Sequence, residues 1–204
     1  MKGINMVQRC FWVDLKDELY VRYHDEEWGK PVHDERLLFE MLVLESFQAG
    51  LSWQCVLHKR EAFRQAFDNF DASKIALYTE EEINTLCKNE GIIRHRGKIK
   101  ATVSNAISFL AVCQEFGSFE NYILSFTGEK ALQSDGHETL SPVSDALSKD
   151  MRKRGFRFLG STTVFSYLCA VGFIHAHTKE CFKFPVSEPF SPCLNPNIKQ
   201  RNNK

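Results

Sequence analysis

A glutamate interrupts the apolar face of a predicted helix in the stretch "MLVLESFQAGLSW", residues 41–53. Glu45 follows Met41 by four residues and Leu37 by eight, which places it on the inward-facing stripe of the helix. Because an unpaired buried carboxylate is costly, Glu45 must pair with an arginine, cap a neighbouring helix, or line a cavity for a ligand with N–H donors or positive charge. Trp53 lies near enough to form an aromatic wall, although a lone Trp is more typical of a core.

Two pairs of cysteine and histidine stand near the two ends of the sequence: Cys10 with His24, and His177 with Cys181. The second pair has i, i+4 spacing, so both side chains lie on one helix face. A Cys2His2 set would form a closed tetrahedral zinc site that ties the two ends together. Since the halves are far apart in sequence, buried thiols and ordinary histidines are an open alternative. His175 competes with His177 but suits the helical spacing poorly.

Two basic clusters could contact a polyanion: "RHRGKIK", residues 94–100, and "KDMRKRGFRF", residues 149–158. Solvated helix faces are the alternative for both. The second cluster continues into "RGFRFLGSTT", which predicts a tight hairpin between two helices. There Gly160 and Ser161 open a helix whose free backbone N–H groups suit a phosphate. With the flanking arginines, this hairpin could grip a nucleic-acid backbone without reading bases.

Helix-start signals define the elements that must position these residues. Asp34 is expected to cap the helix of the first stretch, and Thr79 opens a capping box with the glutamates that follow it. Ser144 is expected to cap "DALSKDMRKR", the helix before the hairpin. Residues 127–143 are polar and rich in turn-forming residues, which indicates a loop.

Few strand signals are present, so the sequence predicts an all-α fold class. Residues 1–186 are expected to form a single domain, with an N-terminal arm packed back on the helical core. Residues 187–204 contain three prolines and are expected to be a flexible tail.

Composition limits the classes of protein that the chain can belong to. Of 204 residues, 43% are hydrophobic and 25% are charged, as in soluble globular proteins. No apolar run is long enough to span a membrane, and no signal peptide is recognisable. Seven scattered cysteines without a CxxC pair favour reduced thiols and a cytoplasmic location. The formal net charge is zero, so any polyanion partner must be attracted by local clusters.

The assembled motifs resemble the 3-methyladenine DNA glycosylase I family of the helix-hairpin-helix glycosylase superfamily. The resemblance covers roughly residues 8–185. It rests on these stretches together, none sufficient alone: "RCFWV", "YHDEEWGKP", "LLFEMLVLESFQAGLSW", "VLHKRE", "GIIRHRGKI", "SDALSKDMRKRGFRFLG" and "HTKEC". It implies a helical bundle whose N- and C-terminal segments are joined by a zinc site.

The resemblance also implies a function. Members of the family hydrolyse the N-glycosidic bond of 3-methyladenine in alkylated double-stranded DNA, after flipping the base into an aromatic pocket, and leave an abasic site without lyase activity. Glu45 matches the catalytic pocket carboxylate that hydrogen-bonds the base edge. The matching base-binding aromatic residues are Tyr23, Trp53, Trp28 and Trp12. No membrane or obligate protein partner is implied, and a monomer is expected.

Metal and DNA contacts are implied in the same way. The residues that match structural Zn²⁺ ligands are Cys10, His24, His177 and Cys181. Gly50 and Leu51 match a loop that enters the gap left by the flipped nucleotide. The residues that match the phosphate-gripping hairpin are Gly155, Arg157, Gly160 and Ser161. One departure is His175, which stands where relatives have Asn.

Related enzymes of the superfamily carry an aspartate after the second hairpin helix, and the lyases use a lysine. Here that stretch is "GFIHAH", with neither residue, which fits the 3-methyladenine branch. A base methylated at N3 is cationic and leaves readily, so no strong general acid is required. Three alternatives stay open: a lesion-binding protein without hydrolysis, an enzyme of the same fold for another base, and a helical zinc module unrelated to nucleic acids.

Overall fold

The structure, a computed structural model, describes residues 7–184. Its regular elements follow in chain order: α1 (Glu18–Glu26), α2 (Glu35–Gln48), α3 (Trp53–His58), α4 (Arg60–Ala66), a 3₁₀ turn (Asp68–Phe70), α5 (Ala72–Ile75), α6 (Glu80–Leu86), α7 (Arg96–Phe116), α8 (Phe119–Thr127), β1 (Leu132–Gln133), α9 (Pro142–Lys153), α10 (Ser161–Ala170) and β2 (Ile174–His175). The expected flexible tail lies outside the described residues, and the single domain stays a prediction. Within residues 7–184, no helix is both long and apolar enough to cross a membrane.

The structure is mostly helical, but the all-α prediction is wrong in one respect. β1 and β2 form a parallel two-stranded ladder in which Leu132 pairs with Ile174. β1 lies inside residues 127–143, which were predicted to be a loop. Strands of two residues are too short to show the alternation that signals a strand. Their pairing depends on a contact between distant segments, which local sequence does not reveal.

Side-chain caps start the helices that position the candidate site. Asp34 accepts a hydrogen bond from the backbone N–H of Leu37 at 2.8 Å, which confirms the predicted start of α2. The start of α9 was predicted wrongly, because Ser141 rather than Ser144 is its N-cap. Pro142 occupies the first helical position, where its missing N–H costs nothing. Ser144 is instead the third helical residue and completes the capping box.

Helix α2 is the central element of the bundle. Every residue from Leu38 to Phe47 is buried, as expected for a helix that is enclosed on all sides. It packs against α3, α7, α8 and α10. Two carboxylates, Glu40 and Glu45, are therefore carried into the interior.

A network of arginines neutralises the first of these carboxylates. Glu40 is fully buried, and its Oε1 accepts hydrogen bonds from Arg60 at 2.5 Å and from Arg64 at 2.8 Å. Arg60 also donates to Glu27 at 2.5 Å. These bonds tie α2 to α4 and to the segment after α1, and they leave Glu40 fully compensated.

We expect Glu40→Gln to lower the free energy of unfolding by about 3–5 kcal/mol, because it removes the fully buried charge that pairs with Arg60 and Arg64 and leaves Arg60 with the half-exposed Glu27. Urea unfolding monitored by circular dichroism measures the loss. The matched control is Glu90→Gln, whose pair with Arg94 is exposed and should cost at most about 0.5 kcal/mol. Equal effects of the two substitutions would contradict this account.

Candidate functional site

A cavity of about 270 Å³ opens where α1, α2, α3 and α10 meet. The N-terminal arm and the segment that follows β1 complete its walls. The residues that line it are Trp12, Tyr20, Tyr23, Trp28, Glu45, Gln48, Trp53, Gly136, Glu138, Thr139, Thr162, Phe165, Ser166, Cys169 and Ala176. The sequence-predicted acid and all four predicted aromatic residues therefore lie around one cavity.

Glu45 is the buried acid of this cavity. The residue is only 4% exposed, and its Oε2 has no hydrogen-bond partner among the described residues. Burial raises the pKa of Glu45 to about 8, because the ionised form loses its hydration. Of the three possibilities that the sequence left open, the structure shows the third: Glu45 lines a cavity.

Two pairs of aromatic rings form the cavity walls. Tyr23 and Trp53 have ring centroids 5.3 Å apart, and Trp12 and Trp28 meet edge to face at 4.9 Å. The indole Nε1 of Trp53 is buried and has no partner among the described residues. The cavity residues thus include an unsatisfied donor on Trp53 and an unsatisfied acceptor on Glu45. A flat ring with both an acceptor and a donor on its edge would satisfy them.

Some cavity residues were missed by the sequence analysis. Tyr20 precedes Tyr23 by three residues on α1, and Gln48 follows Glu45 by three on α2, so helical spacing could have found both. Burial and the nearby Glu45 charge raise the pKa of Tyr20 to about 12. Glu138 stands after β1, in a segment whose position only the tertiary fold determines.

The cysteine and histidine pairs form a second, compact cluster. The ligand atoms of Cys10, His24, His177 and Cys181 all lie within 4.8 Å of one another, and all four residues are buried. The Sγ of Cys181 is 3.4 Å from His24 Nε2 and 3.5 Å from His177 Nδ1. With metal–ligand bonds of about 2.3 Å to sulfur and 2.05 Å to nitrogen, tetrahedral geometry separates these atoms by about 3.5 Å. The cluster therefore fits a tetrahedral metal ion.

Neighbouring groups orient one ring of this cluster. His24 Nδ1 lies 2.8 Å from a carboxylate oxygen of Asp25, which in turn accepts hydrogen bonds from Arg9. A carboxylate on the far nitrogen is the usual support of a metal-binding histidine. His175 belongs to β2 and is not part of the cluster.

The α2–α3 loop, residues 49–52, borders the cavity. Gly50 adopts a φ of +83°, which favours glycine, and Leu51 is 43% exposed at the tip. A second, smaller pocket is lined by Gly50 and Leu51 together with Glu45 and Gln48, which also line the cavity. An apolar side chain is thereby presented to solvent beside the mouth of the cavity.

The α9–α10 hairpin, residues 154–160, separates two helices that pack on each other. Gly155 has a φ of +100°, and Gly160 caps α10 without a side-chain hydrogen bond. Arg157 is exposed. The hydroxyl of Ser161 is engaged by Ser144 and Asp145, so its backbone N–H, not its side chain, is what Ser161 can offer to a phosphate.

An acid-lined aromatic cavity in a helical bundle suits a flat, positively charged ring. The sequence model of the methyladenine glycosylase family matches residues 12–184 of this chain. DNA-3-methyladenine glycosylase 1 of Escherichia coli (strain K12) is 43% identical over 189 residues, which cover 90% of this chain and 100% of the relative. The chain therefore belongs to the methyladenine glycosylase family.

Solved structures agree with this assignment. A crystal structure of 3-methyladenine DNA glycosylase I superposes with a TM-score of 0.84 at 46% identity, over 87% of this chain and 100% of that one. A structure of 3-methyladenine DNA glycosylase I from Staphylococcus aureus, described as the basis of its 3-methyladenine recognition, gives 0.81 at 39% identity, over 85% and 95%. The residues that the family model matches include those that line the cavity, the α2–α3 loop and the α9–α10 hairpin.

We expect Glu45→Gln to remove a pH dependence of stability. Burial moves the pKa of Glu45 from 4.5 to about 8, so the folded state holds a proton that the unfolded state releases. The stabilisation is complete below about pH 4.5 and is lost as the pH rises through 8. From pH 5 to pH 9 the variant should gain about 4 kcal/mol relative to wild type. Parallel stability curves in urea titrations at successive pH values would contradict a buried, unpaired carboxylate.

Proposed function

We propose that this protein is a DNA-3-methyladenine glycosylase that removes 3-methyladenine from alkylated double-stranded DNA. It hydrolyses the N-glycosidic bond after the damaged base has been flipped into the cavity, and it leaves an abasic site. The observation that supports this most directly is the unpartnered carboxylate of Glu45 between aromatic walls. Membership in the methyladenine glycosylase family supplies the substrate class.

The cavity suits a cationic purine on physical grounds. Methylation at N3 gives the base a delocalised positive charge, which aromatic faces attract by about 0.5–2 kcal/mol each. A cation bound beside Glu45 lowers the pKa of that carboxylate, so the acid is ionised in the complex. The anion then accepts hydrogen bonds from the base edge and favours the charged, labile form of the base. Trp53, Tyr23, Trp28 and Trp12 enclose the ring.

Flipping requires contacts on the DNA outside the cavity. Extrusion of a base costs a few kcal/mol, and least for a damaged, poorly paired base. Leu51, exposed next to Gly50 at the cavity mouth, fills the gap in the base stack and offsets part of that cost. The backbone is held by a helix-hairpin-helix formed by α9, the α9–α10 hairpin and α10. In it Gly155, Arg157, Gly160 and Ser161 face a phosphate.

The cavity composition supports hydrolysis without lyase chemistry. A lyase needs an amine that forms a Schiff base with the sugar. Among the described residues that line the cavity none is a lysine. The expected product is therefore an intact strand with an abasic site.

The first experiment is base release from N-methylated duplex DNA, with the freed bases identified by chromatography. Wild type should release 3-methyladenine, and Glu45→Gln should be slower by about 100-fold, because it removes the charge that stabilises the cationic base. Glu90→Gln, an exposed acid on the surface, is the matched control and should retain the wild-type rate.

Three outcomes would overturn the proposal. Full activity of Glu45→Gln would show that the carboxylate is not used. Binding of methylated duplex without release of any base, by folded wild type, would favour a lesion-binding protein. Release of a different base would assign the same cavity to another substrate.

We further propose that Cys10, His24, His177 and Cys181 hold a structural Zn²⁺. Their spacing and their Cys2His2 composition fit tetrahedral zinc with no open position, so the ion supplies folding energy and no reacting water. The N-terminal arm and the segment after β2 are joined by this set. We also propose, separately from the metal site, that the protein is monomeric, lies in the cytoplasm and forms a single domain over residues 1–186.

We expect Cys181→Ala to lower the melting temperature markedly while the surviving folded fraction keeps most of its base-release rate. The substitution removes one ligand, and metal affinity is folding energy in such a site. Elemental analysis, thermal unfolding and release assays corrected for folded fraction measure the three quantities. Cys55→Ala, at an exposed thiol, is the control. Metal-free wild type with an unchanged melting temperature would contradict the proposal.

A further inference from the structure

Helix α7 contacts both of the loops that the proposed function assigns to DNA, the α2–α3 loop and the α9–α10 hairpin. Lys98 near its start lies beside the α2–α3 loop, and Asn105 lies beside the α9–α10 hairpin. The two residues are seven positions apart in one helix, which corresponds to about two turns, or 10.5 Å along the axis. They therefore share one face of a single rigid element.

Lys98 is an unusual lysine because it is buried. It is 5% exposed, and its Nζ donates to the carbonyl of Phe47 at 2.9 Å and to that of Ala49 at 2.6 Å. These carbonyls belong to the C-terminal end of α2, where backbone acceptors lack helical partners and positive charge is favoured. Lys98 thus fixes the point at which α2 ends and the α2–α3 loop begins.

The side-chain amide of Asn105 bonds to both backbone groups of Arg157, a residue of the hairpin. It is fully buried; its Nδ2 donates to the carbonyl of Arg157 at 3.1 Å, and its Oδ1 accepts from the N–H of Arg157 at 2.8 Å. One turn further on, Ser108 donates to the carbonyl of Arg154 at 2.9 Å. The middle and the start of the α9–α10 hairpin are therefore both fixed on α7.

We propose that α7 sets the separation of the two DNA-contacting loops, with Lys98 and Asn105 as positioning residues. The inference rests on the proposed function, in which the α2–α3 loop fills the base stack and the α9–α10 hairpin grips the backbone. Both must engage one strand at a fixed spacing, and an error of about 1 Å in such positioning is costly. A rigid helix that holds both loops keeps that spacing constant.

Substitutions of Lys98 and of Asn105 should impair different steps, base opening and backbone binding respectively. Lys98→Met keeps the packing of the side chain but releases the α2–α3 loop, so base opening should suffer. The ratio of base release from methylated duplex to release from methylated single strand, which needs no unstacking of a pair, should fall about tenfold. Lys100→Met is the matched control, since it removes a charge from the same helix at a residue paired with Glu80 on the surface.

Asn105→Ala releases the hairpin and should weaken binding to the backbone. We expect the Kd for an undamaged duplex to rise about tenfold at constant salt, because phosphate contacts dominate that affinity. Ser104→Ala is the matched control, as the Ser104 hydroxyl donates to the carbonyl of Ala101 within α7 itself. Should Asn105→Ala not fold, Asn105→Ser retains one hydrogen-bonding group and should raise the Kd about threefold.

A third readout separates positioning from general loss of structure. Binding of free 3-methyladenine, measured by tryptophan fluorescence, depends on the cavity and needs no contact between either loop and DNA. It should stay within about twofold of wild type in every variant. If free-base affinity falls as much as duplex affinity, or if Lys98→Met behaves like Lys100→Met, the inference is wrong.

The readouts also distinguish this inference from the proposed function. Wild type that releases no base would overturn the proposed function alone. Loop insertion can still be followed with a duplex that carries 2-aminopurine beside an abasic site, whose fluorescence rises when the stack is opened. Loss of that signal in Lys98→Met but not in Lys100→Met supports the positioning role whether or not hydrolysis occurs, and equal signals refute it.

Discussion

The desolvated carboxylate of Glu45 is the constraint on which the site depends. Helix α2 is buried on every side, so a charge placed on it has no access to bulk water. Glu45 can be accommodated in two ways: it keeps a proton, as its pKa of about 8 indicates, or a cation enters the cavity beside it. In the second case, the positive charge of the ligand offsets the cost of desolvating the Glu45 carboxylate. A neutral base brings no such compensation, so an ionised Glu45 would favour a cationic ring over a neutral one.

Helix α2 carries a second buried acid, Glu40, whose partners differ from those of Glu45. Glu40 is equally buried five residues earlier, but Arg60 and Arg64 neutralise it, and Arg36 approaches it at 3.4 Å. These arginines fully account for the burial of Glu40 without any ligand. Within residues 7–184, Glu45 Oε2 has no hydrogen-bond partner, and four tyrosine and tryptophan rings that were predicted from the sequence line the same cavity. The contrast between a satisfied and an unsatisfied acid separates the stabilising network from the candidate binding site.

Local patterns predicted the parts of this arrangement that follow from one helix at a time. Helical periodicity placed Glu45 inside, and Asp34 marked the start of its helix. Periodicity gave no sign that Lys98, part of a basic cluster, is buried, because its carbonyl partners lie some 50 residues away on α2. Glu138 and the β1–β2 ladder were missed for the same reason. Contacts between distant segments leave no local periodicity, so the walls contributed by loops could not be derived from spacing.

The Cys–His cluster bears on the cavity through shared aromatic rings. Trp12 lies 5.3 Å from the ring of His24, and Trp28 lies 4.7 Å from the ring of His177. Both tryptophans also line the cavity. Closing the two ends of the chain around a metal would therefore position one aromatic wall. Such a site would support base binding by keeping the chain folded around Trp12 and Trp28, without any contact to the substrate.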